Sequence, residues 1–352
     1  MVYNIIHRHD KGIGGAETLV RNLFENYWTQ ENKYQLIGIC NKKETQKNFS
    51  GWGVKNIYSI DALLKTIQWF KRLNNDDIVH VHLFPTLFYV AFAKAIIKNK
   101  VKIIYTEHST KNKRRNNIFG QLLDAWIYRR YNMIIAISNG VRNQLIDHLL
   151  FSRSEIKVVY NGILLENYST KKKVVKNQNR ATFKIATIGR LEKVKNHESI
   201  LDAIKILVTK RKDFTYHIVG NGSLEKTLKR KVKDNFLDDY VVFEGFHRNI
   251  KEEIKNYDLV VAYSLWEGFG LSVVECMSMG VPVIISDVPG LNEVVPDHYP
   301  FKLPLHQSEK LATMMNDGME KGFEYIKTLK KFSCRFDLEK TADSYQSIYS
   351  NL

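Results

Sequence analysis

The sequence predicts an α/β protein made of two doubly wound parallel sheets, and three observations carry that prediction. Short apolar runs alternate with segments of helical period along the whole chain. The alternation is broken once, at Ser169–Arg180 (STKKKVVKNQNR), by a stretch of Lys, Asn and Gln that cannot bury itself, and then resumes. The length of 352 residues exceeds one comfortable hydrophobic core and suits two. Two such units in one chain are expected to leave a cleft between the carboxyl ends of their strands, where ligands of open α/β sheets bind.

In the first half the strand candidates are Tyr3–His7, Tyr34–Ile39, Ile78–Leu83, Val101–Thr106, Met133–Ile137 and Lys157–Tyr160. Helical patterns at Glu17–Trp28, Leu63–Leu73 and Val141–Leu149 lie between them. After the polar stretch, strands are expected at Phe183–Ile188, Thr215–Val219, Val241–Phe243, Leu259–Ala262 and Val283–Ser286. The helices expected among them are Glu198–Val208, Leu224–Val232, Ile250–Lys255 and Leu271–Met279. The domains read as 1–168, a linker at 169–182, and 183–332.

Composition narrows the chemistry. The three cysteines, Cys40, Cys276 and Cys334, are scattered and form no C-x-x-C pair, which fits a reducing cytoplasm and no structural zinc. MVYNIIHRHDK lacks the apolar core of a signal peptide. The longest apolar run, Leu83 to Ile97, is interrupted by Pro85 and Lys94 and falls short of the ~20 residues of a spanning helix. A net charge of +16 favours polyanionic partners, whether nucleic acid, anionic membrane or phosphorylated small molecules. No nucleic-acid motif accompanies it, so nucleic acid is not an expected partner.

The most pointed stretch is WEGFGLSVVE, Trp266 to Glu275. Gly268 and Gly270 permit a tight turn, and LSVV then opens a helix carrying Glu275 about one turn in. Amides at such a turn suit an anion, and ionised carboxylates at Glu267 and Glu275 suit sugar or ribose hydroxyls. By themselves the two residues read equally well as a loop cap and a solvated helix residue.

IGRLEKVKN, Ile188 to Asn196, places Arg190 and Lys195 after a strand and before a helix for which Asn196 is the expected N-cap. Two fixed cations there make a diphosphate site that needs no metal, although cations in such loops are more commonly just solvated. DKGIGGAETL, Asp10 to Leu19, puts Gly12, Gly14 and Gly15 after the first strand. It is not the dinucleotide fingerprint, because Glu17 stands where a closing glycine belongs.

His80 and His82 share one strand face without a third metal ligand nearby, so core or cleft-edge histidines are expected. His108, just past a strand end, is expected to make a polar contact to substrate. In Lys111 to Tyr131, Ile118, Leu122, Leu123, Trp126 and Ile127 fall at helical spacing. Basic residues flank them, and Lys113, Arg114, Arg115, Trp126, Arg129 and Arg130 are the candidates for contact with anionic lipid. The alternative is a core-facing helix with a solvated basic loop.

Taken in order, GGAE (Gly14–Glu17), DIVHVH (Asp77–His82), TEHS (Thr106–Ser109), IAIS (Ile135–Ser138), YNGI (Tyr160–Ile163), IGRLEKVKN, VGNGSL (Val219–Leu224), FEGF (Phe243–Phe246) and SLWEGFGLSVVE (Ser264–Glu275) cover nearly the whole chain. This series resembles the retaining glycosyltransferase family 4, whose GT-B fold has two facing Rossmann-like domains. The chain departs from the family at Leu164, where Asp is common.

The resemblance implies that Arg190 and Lys195 bind a donor diphosphate and that Gly15 closes over it from the first domain. It implies Glu275 on the ribose hydroxyls, and Glu267 with Gly268, Phe269, Gly270 and Leu271 at the transferred sugar. His108 would lie near that sugar's outer hydroxyls, and the base near Phe246 and His247. It further implies an acceptor-side first domain and a terminal segment, 333–352, that crosses back to pack on it. The expected reaction is metal-independent, cofactor-free retaining transfer from a nucleotide-diphosphate sugar, UDP-sugar favoured, to a glycan or lipid-linked acceptor in bacterial surface polysaccharide assembly. It is expected in the cytoplasm or peripherally at the inner face of the membrane. A nucleotide-sugar epimerase and a non-catalytic polyanion-binding protein are the alternatives.

Overall fold

The computed structural model describes residues 1–8, 14–29, 31, 33–45, 48–149, 156–168, 182–247 and 249–352, with the backbone alone at 113, 116 and 149. Asp10, Gly12 and nearly all of the expected linker 169–182 therefore lie outside the described residues. The chain forms two compact units, 1–162 with 338–352, and 163–337. The divisions thus fall at Gly162/Ile163 and Asp337/Leu338, against expected limits at 168 and 332.

The first unit opens with β1 (Val2–Ile6), α1 (Gly15–Leu23), β2 (Tyr34–Gly38), β3 (Glu44–Thr45), β4 (Phe49–Gly51), α2 (Ile60–Phe70) and β5 (Ile78–His82). It continues with α3 (Thr86–Ile97), β6 (Lys102–Glu107), α4 (Ile118–Tyr128), β7 (Met133–Ala136), α5 (Asn139–Leu149) and β8 (Ile156–Val158). The sheet order is β3-β4-β2-β1-β5-β6-β7-β8, parallel throughout except between β3 and β4. Consecutive strand residues such as Ile5 and Ile6, Leu36 and Ile37, Ile103 and Ile104, and Ile134 and Ile135 are all buried. Helices cover both faces of such a sheet, which is why its strands read as continuous apolar runs.

Four elements of this unit differ from the sequence reading. The expected helix Glu17–Trp28 is α1 followed by a π-helical turn at Phe24–Trp28, where Thr29 N donates to Phe24 O at 3.0 Å and the Phe24 and Trp28 rings are buried. The apolar run after Leu83 forms the interior helix α3, with Pro85 at its N-cap and Lys98 ending it in the left-handed conformation. Strands β3 and β4 were not anticipated, because two or three residues carry no measurable period.

The second unit contains β9 (Phe183–Ile188), α6 (His197–Lys210), β10 (Phe214–Val219), α7 (Glu225–Asp234), β11 (Val241–Gly245), α8 (Ile250–Ile254) and β12 (Leu259–Ala262). There follow α9 (Leu271–Met279), β13 (Val283–Ser286), β14 (Lys302–Leu303), α10 (Ser308–Lys321) and α11 (Ile326–Ser333). Its parallel sheet has the order β11-β10-β9-β12-β13-β14, so the winding reverses between β9 and β12. Loops leaving these two strands run in opposite directions, which opens a crevice beyond their carboxyl ends.

The last helix, α12 (Leu338–Ser350), belongs to the first unit. Tyr345 and Tyr349 pack their rings against Trp28, and Tyr349 Oη lies 2.7 Å from His80 Nδ1. His80 also meets Thr106 Oγ1 at 2.7 Å, and both His80 and His82 are buried. They are core residues.

The basic segment before α4 corrects one expectation. Arg115 is 4% exposed and lies inside the unit, with Nη2 donating to Glu107 Oε2 at 2.8 Å and Nε to Asp124 Oδ2 at 3.2 Å. It cannot touch a membrane. Arg114 is also drawn in, its Nε donating to Asp124 Oδ1 at 2.8 Å while its guanidinium lies 3.9 Å from the Phe84 ring centre. The cause is Asp124, a fully buried carboxylate on α4 that needs two cationic partners. Arg129 stays exposed, Arg130 stacks on Trp126, and the side chain of Lys113 lies outside the described residues. Replacing Arg115 by Met strips Glu107 and Asp124 of a buried partner. Urea unfolding should show a loss of about 3–5 kcal/mol.

Candidate active site

In the second unit Lys195 and Glu267 meet across the crevice at the β9/β12 reversal, and Arg190 stands on the loop that leaves β9. Arg190 follows β9 and is exposed, and its carbonyl accepts from His197 Nε2 at 3.3 Å. Burial lowers the pKa of His197 to about 4, so the ring is a neutral support for the loop. Gly189 has φ +154° and passes close to the Lys195 side chain, whose Cε would lie 2.9 Å from a Cβ at this position. The close passage lets Lys195 reach across the crevice.

Lys195 Nζ donates to Glu267 Oε1 at 2.6 Å, and Ser264 Oγ donates to the same oxygen at 2.9 Å. Both ends of the pair are largely screened from water, with side chains 20% and 18% exposed. Leu265 N to Val194 O, 2.8 Å, ties the two loops through their backbones as well. An ammonium has three N–H groups, so Lys195 keeps donors beyond the one given to Glu267. Asn196 is the N-cap residue of α6 as expected, but in a left-handed conformation, and its side chain accepts from Ser199 Oγ instead of a backbone amide.

After Glu267 the chain turns through Gly268, Phe269 and Gly270 into α9. Gly270 is its N-cap at φ +99°, ψ 52°, with Leu291 Cδ1 only 2.5 Å from where a Cβ would sit. A side chain there is excluded by both conformation and space. The amides of Leu271 and Ser272 precede the first bond of the helix, Val273 N to Gly270 O at 3.0 Å, and point back toward the turn.

Glu275 is the one charged residue of α9 and is half-buried among Val274, Cys276 and the neighbouring helices. It is not a solvated helix residue. Burial pushes its carboxyl up to about 7, against the hydrogen bond from Tyr168 Oη at 2.7 Å and the charge of Lys251. Tyr168 and Lys251 escaped sequence reading because nothing in their spacing connects them to Glu275. Ser264, three residues before Glu267, was within reach of it.

Beyond β11, Phe246 is 53% exposed and His247 Nδ1 lies 3.3 Å from Glu253 Oε1. In the first unit, Gly15 is the first residue of α1, behind the N-cap Gly14. His108 follows β6, with Nε2 3.1 Å from His82 Nδ1 and a buried Nδ1 that meets no partner. Burial lowers its pKa to about 4, leaving a neutral ring at pH 7. Among the described residues no group of three His, Cys, Asp or Glu side chains is placed to hold a metal ion, and no helix is long and apolar enough to cross a membrane.

Two winding α/β units with cations and carboxylates at a switch point are the GT-B arrangement of a glycosyltransferase. Family models agree: "Glycosyltransferase Family 4" matches residues 13–167 and "Glycosyl transferases group 1" matches residues 169–332. The chain belongs to glycosyltransferase family 4. It is similar to an uncharacterized 41.2 kDa protein of the cps region of Klebsiella pneumoniae, 30% identical over 318 residues and 84% of each chain. It is also similar to the Escherichia coli UDP-Gal:α-D-GlcNAc-diphosphoundecaprenol α-1,3-galactosyltransferase, 25% identical over 321 residues, 85% of this chain and 82% of that one. Among solved structures, Anabaena HepE in complex with UDP and glucose shares the fold at a TM-score of 0.83 and 19% identity, covering 100% of this chain and 99% of that one.

The turn into α9 can be tested apart from catalysis. Gly270→Ala imposes a left-handed alanine against Leu291, so thermal and urea unfolding should show a loss of about 1–3 kcal/mol.

Proposed function

We propose that this enzyme transfers a sugar, with retention at its anomeric carbon, from a UDP-sugar to a glycan or lipid-linked acceptor in surface polysaccharide assembly. The observation that carries the reading is the Lys195–Glu267 pair at the strand reversal, with Arg190 five residues before Lys195 on the same loop and Glu275 eight residues after Glu267. The named activity of the E. coli relative and the UDP bound to HepE support the donor class. The relative from a cps region supports the polysaccharide setting.

In this reading the bond between the anomeric carbon and the β-phosphate oxygen breaks through an oxocarbenium-like state. The acceptor hydroxyl oxygen bonds to the anomeric carbon from the same face, and its proton passes to the departing diphosphate. Negative charge grows on that diphosphate, and Arg190 and Lys195 meet it without a divalent ion. Glu267 orients Lys195 and, with Gly268, Phe269, Gly270 and Leu271, receives the sugar. Glu275 accepts from the ribose hydroxyls, and the backbone at Phe246 and His247 receives the base.

A second part of the proposal concerns α4. Ile118, Phe119, Leu122 and Trp126 project from it into solvent, Phe119 at 81% exposure, with Lys111 and Arg129 exposed nearby. An apolar face with a basic flank on a chain of net charge +16 suits an anionic bilayer, where a lipid-linked acceptor would reside. This would hold the enzyme peripherally at the cytoplasmic face.

Two outcomes are expected. In a panel of nucleotide sugars assayed by nucleotide release, Arg190→Ala should slow turnover by about a hundred-fold to a thousand-fold, and EDTA should leave the wild-type rate unchanged. Near-normal turnover of Arg190→Ala would sink the mechanism. Separately, wild-type protein should co-sediment with phosphatidylglycerol vesicles and release at high salt. Phe119→Glu with Leu122→Glu should abolish co-sedimentation while leaving nucleotide release on a soluble acceptor intact.

A further inference from the structure

Glu275 is held from two sides by residues of other elements. Tyr168 ends the 3-10 turn Leu165–Tyr168, is 5% exposed, and donates its hydroxyl to Oε1 at 2.7 Å. Lys251, on α8, places its ammonium 5.2 Å from the centre of the Tyr168 ring. The turn and α8 both pack on α9, so the three side chains form one chain of contacts, from ammonium to ring and from ring hydroxyl to carboxylate.

An ionised carboxylate offers about four lone-pair directions over its two oxygens, and one phenol consumes one of them. The rest remain available for a pair of hydroxyls such as those of a ribose. The same hydrogen bond restrains the rotation of the carboxylate. We propose that Tyr168 and Lys251 are positioning residues for the nucleotide donor, keeping Glu275 ionised and correctly turned to accept from two ribose hydroxyls. The inference rests on the assignment of Glu275 to the ribose.

Burial pushes the Glu275 carboxyl up to about 7, whereas the Tyr168 hydrogen bond and the Lys251 charge act to lower it. Tyr168 itself is raised, by burial first and then by Glu275, so it remains a protonated donor across the working range. The other elements against α9 add little. Cys276, adjacent on the helix, has its thiol raised well above its ordinary value by burial and is neutral. On α11, Lys330 comes close at Gly280, beyond the C-terminal end of α9. Strands β12 and β13 present apolar residues such as Val260, Val261, Ile284 and Ile285.

A protonated carboxyl loses acceptor capacity and places an O–H among the ribose hydroxyls. Donor affinity should therefore be complete above the carboxyl's titration and fall as pH drops through about 7. Removing either partner removes an influence that lowers the titration, so the fall should move to higher pH.

The test is KM and kcat for the best UDP-sugar between pH 5.5 and 9, for wild type, Tyr168→Phe, Lys251→Met and Glu275→Gln. Wild-type KM should rise toward about tenfold per pH unit on the acid side of its midpoint. Tyr168→Phe and Lys251→Met should raise KM several-fold at pH 7 with kcat nearly unchanged, move the midpoint to higher pH, and approach wild-type KM at pH 9. That recovery with pH separates positioning from loss of packing. Glu275→Gln should have a raised KM without pH dependence. If both Tyr168→Phe and Lys251→Met keep the wild-type profile, or are impaired equally at every pH, the inference is overturned while a flat Glu275→Gln keeps the ribose assignment. If Glu275→Gln keeps the wild-type KM and profile, the assignment itself fails.

Discussion

The reversal of winding between β9 and β12 is the constraint on which the site depends. Parallel strands on either side of it send their loops apart, and only a bond across the gap can hold side chains of both at one place. Lys195 and Glu267 make that bond at 2.6 Å, reinforced by Ser264 and by the Leu265–Val194 backbone contact. A half-buried pair of this kind gains from a reduced dielectric, and the three N–H groups of the Lys195 ammonium leave donors for a ligand.

Around that bond the second unit sorts its carboxylates by environment. Glu267 has an ammonium and a hydroxyl on one oxygen, whereas Glu275 sits on an otherwise uncharged helix with a phenol. Desolvation acts on Glu275 strongly enough to bring its titration near neutrality. Two glutamates eight residues apart thus sit in different surroundings because the Gly270 turn leaves one in a loop and carries the other into a packed helix.

The first unit handles buried polarity by pairing. Arg115, Glu107, Asp124 and Tyr128 bond to one another in the interior, and His80 lies between the hydroxyls of Thr106 and Tyr349. His108 is one of several exceptions among the described residues, its buried Nδ1 meeting no partner, as is true of Thr86 Oγ1 and Arg115 Nη1. A basic residue in the sequence is consequently no guide to a basic surface. Arg115 and Arg129 look alike as letters, and only Arg129 remains exposed to solvent.

By itself the sequence determined the class of fold and the order of its elements. Strands buried on both faces must be continuous apolar runs, so Phe183–Ile188, Leu259–Ala262 and Val283–Ser286 were legible to the residue, as was α9. Gly270 and Arg190 could be placed because turns and strand ends leave local signatures. Tertiary structure alone decided which charges meet. The Tyr168 contact spans 107 residues and the Lys195 contact 72, and no period or motif encodes a partner at such separations. It also decided that Arg115 turns inward, since the buried Asp124 that draws it in stands among apolar residues on a helix whose inner face cannot be told from its outer face by spacing alone.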